Sequence, residues 1–334
     1  MKKSYYLFNP GRLSRKDNTL QFTPYDELGN EGPCRYIPVE TVSDLYVFGN
    51  LDANSAMYNF LGKNGISAHF FDYYEHYTGS FFAKDYLLAG KMQVEQTRHY
   101  TLRNKRMALA QKFVEGAAFN MLKNLRYYNN REKDVSQVIG QIEGYMAQIP
   151  VTAEVPELMG IEGNIRQTYY SAFDTIVSGF TMVNRSKRPP RNEINVLISF
   201  GNMMCYSVCM DMIYHTQLNP TISFLHEPGT RRYSLALDLA EIFKPVLVDR
   251  TIFRVLNKKE IQPNDFMTDI NGCVLKDSGK KAFVKAFEER LKETIKHRTL
   301  NKSVSYKHLV KLECYKLSKH ILNIEEYKPF KIWW

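Results

Sequence analysis

Several signatures are missing from this chain, and each absence removes a class of protein. No C-x-x-C pair occurs among its five cysteines, Cys34, Cys205, Cys209, Cys273 and Cys314. An odd number at these spacings fits neither a zinc ribbon nor a disulfide framework. Cys205 and Cys209 stand four apart in an apolar stretch, so they share one helix face and read as buried, reduced thiols. There is no GxxxxGK[ST], no GxGxxG and no GxSxG, which argues against P-loop, Rossmann and α/β-hydrolase chemistry. No stretch approaches the ~20 continuous apolar residues of a membrane span. The longest, Asn195 to Ile213, is broken by Ser, Gly and Asn. The start, MKKSYYLFNPGRL, has two lysines but no apolar core and no small-residue cleavage site. The cytoplasm is therefore the expected location, with no membrane partner. Low-complexity segments and internal repeats are also absent.

What is present is a chain of 334 residues, 44% hydrophobic and 13% aromatic, with 22 Tyr and 20 Phe. That length suits two domains of about 100–200 residues each. The formal net charge is +10, which suits a polyanionic partner, either nucleic acid or an anionic surface.

Residues 1–88 read as β-rich. Ser4 to Phe8, Asn18 to Phe22, Leu45 to Phe48, Gly65 to Phe71 and Tyr77 to Phe82 are short apolar or aromatic runs between turn signals. Ser55 to Leu61 reads as one short helix among them. Closely spaced strands of this kind suggest a small sandwich. Residues 89–334 read as an all-α domain. Gln93 to Tyr128 has almost no Gly or Pro, and Leu102, Arg106, Leu109, Phe113 and Ala117 recur at the helical period. Further helices are expected over Glu132 to Ala147, Glu162 to Val183, Glu193 to Gln217, Ser234 to Asn257, Lys280 to Thr299 and Tyr306 to Leu322. The fold class is α+β, a small N-terminal β-sandwich followed by a larger all-α domain.

Chemistry concentrates in Leu225-His226-Glu227-Pro228-Gly229 and the segment that follows. His226 precedes a turn signal, and Ser234 is a candidate N-cap. Asp238 and Glu241 are three apart, so they share a helix face. Paired carboxylates repel unless a cation lies between them, and a neighbouring imidazole completes a donor set for a divalent ion. On spacing alone, two solvated carboxylates beside an ordinary loop histidine remain the simpler reading. Glu162, between Gly160 and Gly163, reads as an acid at a helix start. There the helix dipole offers it a structural role, while the glycines would let a backbone or strand come close.

Cations flank both acidic patches: Arg185-Ser186-Lys187-Arg188-Pro189-Pro190-Arg191, the pair Arg231-Arg232, and Lys244 and Arg250. Between Asp277 and Lys311 there are ten Lys/Arg against four Asp/Glu, which lysine-solvated helix faces explain. Cations around an acidic metal site suit a phosphate substrate, with Lys187, Arg188, Arg191, Arg231, Arg232, Lys244 and Arg250 as candidate DNA contacts. Asp72, Glu75 and His76 read as a surface loop, and Trp333-Trp334 as a packing tail.

Three blocks, LMGIEGNIRQTYYSAF (158–173), RSKRPPRNEINVLISFGN (185–202) and LNPTISFLHEPGTRRYSLALDLAEIFKPVLVDR (218–250), resemble in order and spacing the signature blocks of the CRISPR spacer-acquisition integrase family. DNTLQF (17–22), DLYVFGN (44–50) and GISAHFFDYYEHYTGSF (65–81) resemble its N-terminal β domain. The resemblance implies a Mg2+ or Mn2+ site formed by Glu162, His226 and Glu241, with Asp238 as the supporting catalytic acid. Lys187 and Arg188 match the basic stretch before the paired prolines, and Asn195 matches the Asn that opens the next helix. Arg166, where many members have small residues, is expected to add a phosphate contact. The implied activity is attack of a DNA 3′-hydroxyl on a phosphodiester of a repeat array, with endonuclease activity when water is the nucleophile. The implied partners are double-stranded DNA (prespacer and repeat array), a second copy paired through the β domain, and a small ferredoxin-like companion that completes a heterohexamer. Two other readings fit the residues: a non-catalytic nucleic-acid-binding scaffold, and a stand-alone structure-specific repair nuclease.

Overall fold

The computed structural model describes residues 2–26, 28–72, 74–83, 89–187, 189–229, 233–269 and 272–333. It resolves into two compact units, Met1–Tyr86 and Leu87–Trp334.

The first unit holds strands β1 (Lys3–Leu7), β2 (Gly11–Lys16), β3 (Thr19–Pro24), β4 (Arg35–Pro38), β5 (Val42–Val47), β6 (Leu51–Asp52), β7 (Ser67–Phe71) and β8 (Tyr77–Phe81), with helix α1 (Ser55–Lys63). They form two four-stranded sheets of order β1-β5-β7-β8 and β4-β3-β2-β6. The first is parallel across β1, β5 and β7 and closes with antiparallel β8. One core joins both sheets and the helix: Leu7, Leu45, Val47 and Ala68, then Leu13, Leu20 and Phe22, then Met57, Phe60 and Leu61. The expected sandwich is present, and it contains strands that the apolar runs did not reveal. In β2, Leu13 is buried and Arg12 exposed, so GRLSRK alternates correctly with only one large apolar residue. Its hairpin to β3 turns at Asp17, whose φ of 53° lies in the left-handed region that Asp tolerates.

The second unit is mainly helical: α2 (Gly90–Thr101), α3 (Arg103–Asn129), α4 (Ser136–Met146), α5 (Val155–Ser171), α6 (Phe173–Ile176), α7 (Glu193–Tyr214), α8 (Ser234–Lys244), α9 (Arg250–Asn257), α10 (Asp277–Lys292) and α11 (Tyr306–Ile321). The expectation of an all-α domain needs correction. Two hairpins stand in it, β9 (Phe266–Asp269) with β10 (Gly272–Leu275), and β11 (Thr294–Lys296) with β12 (Ser303–Ser305). The helix expected over 280–299 therefore ends at Lys292, and the one expected to reach Val183 ends at Ser171. The long helix expected from Gln93 breaks at Leu102, whose ψ of 105° is extended.

Helix α7 is long and apolar enough to cross a membrane by length and composition, yet 78% of its most apolar window is buried inside the protein. It packs on α8 and on a π turn, Pro245–Asp249, that joins α8 to α9. That turn shifts the helical register, and side chains meet carbonyls beside it. Asn120 Nδ2 donates to Ile242 O (2.9 Å), Asn124 Nδ2 to Pro245 O (2.7 Å) and Arg290 Nε to Val246 O (2.9 Å). Gly201 admits the turn to α7, because a Cβ there would lie 2.4 Å from Val248 Cγ1 and 2.9 Å from Phe283 Cζ. Gly201→Ala should overpack this contact and lower unfolding stability by about 1–3 kcal/mol. A denaturant midpoint equal to that of the parent protein would refute this.

Candidate active site

Glu241 and Asp238 leave α8 fully buried, not as a solvated pair. Their work is divided. Asp238 is turned to the loop between α7 and α8. It accepts from the backbone N–H groups of Phe224 (2.7 Å), Leu225 (3.0 Å) and His226 (2.9 Å), and contacts His226 Nδ1 at 2.9 Å. A carboxylate with four such partners holds a tight loop by charge-assisted hydrogen bonds. The loop curls because Asp238 collects its amides. Ser223 Oγ donates to His226 O (2.6 Å) and closes it further. The hydroxyl of Ser234, expected as an N-cap, instead donates to Thr221 O (2.9 Å) and ties the loop to α8.

A second bracket comes from α2 and α3. Arg106 donates through Nε to Phe224 O (2.9 Å) and through Nη2 to Glu227 Oε2 (2.8 Å). Gln96 donates to Asn219 O (2.9 Å) and Ile222 O (2.8 Å). With Nδ1 fixed on Asp238, Nε2 is the ring nitrogen left to meet a ligand, the arrangement that orients metal-binding histidines. Burial opposes the charge on His226, and the Asp238 bond and carboxylate outweigh it, so its pKa is raised.

Glu241 faces the other way, towards α5. Lys244 Nζ lies 2.6 Å from its Oε1, and Arg166 Nη2 bonds its Oε2. Arg166 Nε also donates to Glu162 Oε1 at 2.7 Å. One guanidinium therefore joins Glu162 and Glu241. Burial alone would raise the Glu241 pKa, but Arg166, Lys244 and His226 pull it down to about 2. Glu241 and His226 act on each other's ionisation, so α5, α8 and the loop converge.

Two expectations about this region change. Glu162 is not at a helix start: α5 begins at Val155, and Glu162 lies a full two turns in, so the dipole argument for it lapses. Arg166 is not turned out for a phosphate; its side chain is only 15% exposed and bridges the two acids. A Cβ at Gly160 or Gly163 would meet nothing within 4 Å, so the surface beside Glu162 is open.

The candidate DNA contacts divide in the same way. Lys187 and Arg191 are exposed on the loop before α7. Lys244 turns inward onto Glu241, and Arg250 stacks over Tyr127, 4.2 Å from its ring centroid. Arg188, Arg231 and Arg232 lie outside the described residues. The basic loop is anchored by Asn195, whose Oδ1 accepts from Arg185 Nη1 (2.9 Å) and Ser186 N (3.0 Å). Asn195 does not open the helix; Asn192 caps it, accepting from Asn195 N. The hairpin of β9 and β10 braces the other side, since Cys273 N donates to Pro190 O (2.8 Å). Asp72 and His76 form an exposed turn, as expected, with His76 N on Asp72 Oδ1 at 2.8 Å. Among the described residues no group of three His, Cys, Asp or Glu side chains is preassembled for a metal. Glu162 and Glu241 are instead joined through Arg166.

Sequence reasoning missed Asp249. It is buried in the π turn behind Arg166, and burial raises its pKa to about 7 against the opposing pull of Arg166, Tyr169 and Lys244. Its signal was a lone acid directly after Val246-Leu247-Val248, the mark of a buried carboxyl. The folded protein thus keeps a proton that the unfolded chain, with a pKa near 3.8, has released. Stability therefore falls as pH rises from about 4 to about 7. Asp249→Asn should remove it, leaving the variant more stable relative to the parent at pH 8 than at pH 4, by on the order of a few kcal/mol. A melting-temperature difference that stays constant across that range would refute the assignment.

Against this geometry, comparison with known proteins identifies the family. The family model described as "CRISPR associated protein Cas1" matches residues 5–289. A CRISPR-associated endonuclease Cas1 from Fusobacterium nucleatum is 46% identical over 335 residues, covering 100% of this chain and 98% of that protein. The solved CAS1 protein from Thermotoga maritima is 38% identical, with a TM-score of 0.86 over 97% of this chain and 99% of its own. Two more distant structures share the fold. A casposase bound to integration product has a TM-score of 0.87 at 17% identity, covering 99% of this chain and 93% of its own. A chain of a Cas6-RT-Cas1–Cas2 complex has 0.82 at 16%, covering 100% of this chain and 36% of its own. With a family model over most of its length and close relatives over all of it, the chain belongs to the Cas1 family of CRISPR-associated endonucleases.

Proposed function

We propose that this chain is the DNA integrase of spacer acquisition, and that Glu162, His226 and Glu241 hold the divalent cation on which its chemistry depends. Two carboxylates and an imidazole suit Mg2+ or Mn2+. The observation that supports this site is the convergence of α5 and α8, which links Arg166 and Glu241 across 75 residues of chain and brings His226 within electrostatic reach. When bound, the cation supplies a Lewis acid for the phosphate oxygens.

The chain's own groups prepare that position. Asp238 acts by positioning, since it is fully buried and touches only the loop and His226 Nδ1 among the contacts described above. The imidazole must be neutral to ligate, so its raised pKa moves the acid limit of the site upward in pH. Arg166 and Lys244 hold the Glu241 pKa down. Lys187 and Arg191, exposed on an anchored loop, are placed to hold backbone phosphates. In the joining step the 3′-hydroxyl oxygen of incoming DNA bonds to a phosphorus of the repeat while that phosphorus releases its bridging oxygen, and the proton lost by the hydroxyl is balanced by one gained by the departing oxygen. With water in place of the hydroxyl, the same exchange cleaves DNA.

The first unit is read as the dimerising part and the second as the catalytic and DNA-binding part. The partners are a prespacer duplex, the repeat array, a second copy and a Cas2-type companion in a heterohexamer. Support comes from family membership and from the Cas1–Cas2 complex that shares this fold.

Asp238→Asn should reduce Mn2+-dependent joining of a 3′-hydroxyl duplex to a supercoiled repeat-bearing plasmid by about 10–100-fold. His226→Ala should reduce it at least as far. Unaltered joining by His226→Ala would remove this site from the mechanism.

A further inference from the structure

Arg166 bridges Glu162 and Glu241, the two carboxylates assigned to the metal. Its Nε meets Glu162 Oε1 and its Nη2 meets Glu241 Oε2. The other oxygen of Glu241 is taken by Lys244. Both Glu241 oxygens are thus bonded to cations, so a metal approaching this carboxylate competes with them for its lone pairs. The charges already balance, two carboxylates against one guanidinium and one ammonium. A divalent ion added to that group would place four positive charges against two negative ones. In a buried site, repulsion between unit charges a few ångströms apart amounts to several kcal/mol even at an effective dielectric of about 20. Lys244 reaches Glu241 alone, three residues along the same helix. Arg166 spans the two acids.

We propose that Arg166 is a metal-competing counter-cation: it holds Glu162 and Glu241 together, and a divalent ion binds by displacing its guanidinium from them. This rests on the metal site proposed above. It assigns Arg166 a positioning role quite different from a surface phosphate contact. The guanidinium cannot lose its proton to make room, so it must move as a charged group. Its other surroundings can receive it, because the phenol of Tyr170 acts on it as well. Competition of this kind lowers apparent metal affinity while stabilising the site before the ion arrives.

The experiment is Mn2+ titration of the full chain, read by the electron paramagnetic resonance of free Mn2+, alongside melting temperature with and without Mn2+. Parent protein, Arg166→Gln, Arg166→Lys and His226→Ala are compared. Arg166→Gln is expected to bind Mn2+ about tenfold more tightly than the parent, to melt lower without metal and to gain more from Mn2+. Arg166→Lys, shorter and unable to span both acids, is expected to fall between them, and it carries the test if Arg166→Gln does not fold. Equal or weaker Mn2+ binding by both variants, with a parent site that His226→Ala abolishes, would overturn the competing role while leaving the metal site standing. Parent binding untouched by His226→Ala would instead sink the metal site, and this inference with it.

Discussion

A single buried carboxylate, Glu241, sets the terms for the second unit. An ionised carboxylate taken from water without partners is costly by several kcal/mol, so the fold must bring cations to it. It brings two, from different places. Lys244 comes from the next turn of α8, and Arg166 from α5. The second cannot arrive unless α5 and α8 are held in one fixed relation. The apolar faces of α3, which packs on both helices, secure that relation. The charge requirement and the core packing are therefore one constraint.

The same device recurs away from Glu241. Asp238 is buried and gathers the amides of the His226 loop. Glu313 is buried in α11 and gathers the C-terminal tail, accepting from Tyr327 OH (2.6 Å) and Phe330 N (2.9 Å). Asn120 and Asn124 on α3 serve the π turn, and Asn120 Oδ1 also accepts from Ile332 N (2.9 Å). In each case a buried polar side chain satisfies backbone groups that regular helix cannot, which gives irregular segments one defined shape. Irregular backbone is where the imidazole and the basic loop are presented, so these buried residues act on chemistry without touching a substrate.

The paired roles of Asp238 and Glu241 show why spacing is a weak guide. Three residues apart, they share a helix face, and a reader of the sequence sees one acidic pair. In the folded chain one carboxylate is committed to backbone amides and the other to cations. A cation between the acids was a sound expectation, but the partner Glu241 shares Arg166 with is Glu162, not Asp238.

By itself the sequence determined the class of fold, the sandwich followed by helices, and the residues worth watching. The reason is that alternation, helical period and turn chemistry are local, as are the blocks that resemble the family. It left β2 and the hairpins of the second unit unseen, because short strands with few apolar residues are defined by the strands beside them. Only the tertiary structure decided what each charge faces. Arg166, Lys244 and Arg250 look like surface cations in a list of residues, yet all three turn inward. Asp249 looks like one more acid, yet it retains a proton near neutrality. Which way a charged side chain points depends on the elements packed around it, and those elements come from parts of the chain that no local pattern connects.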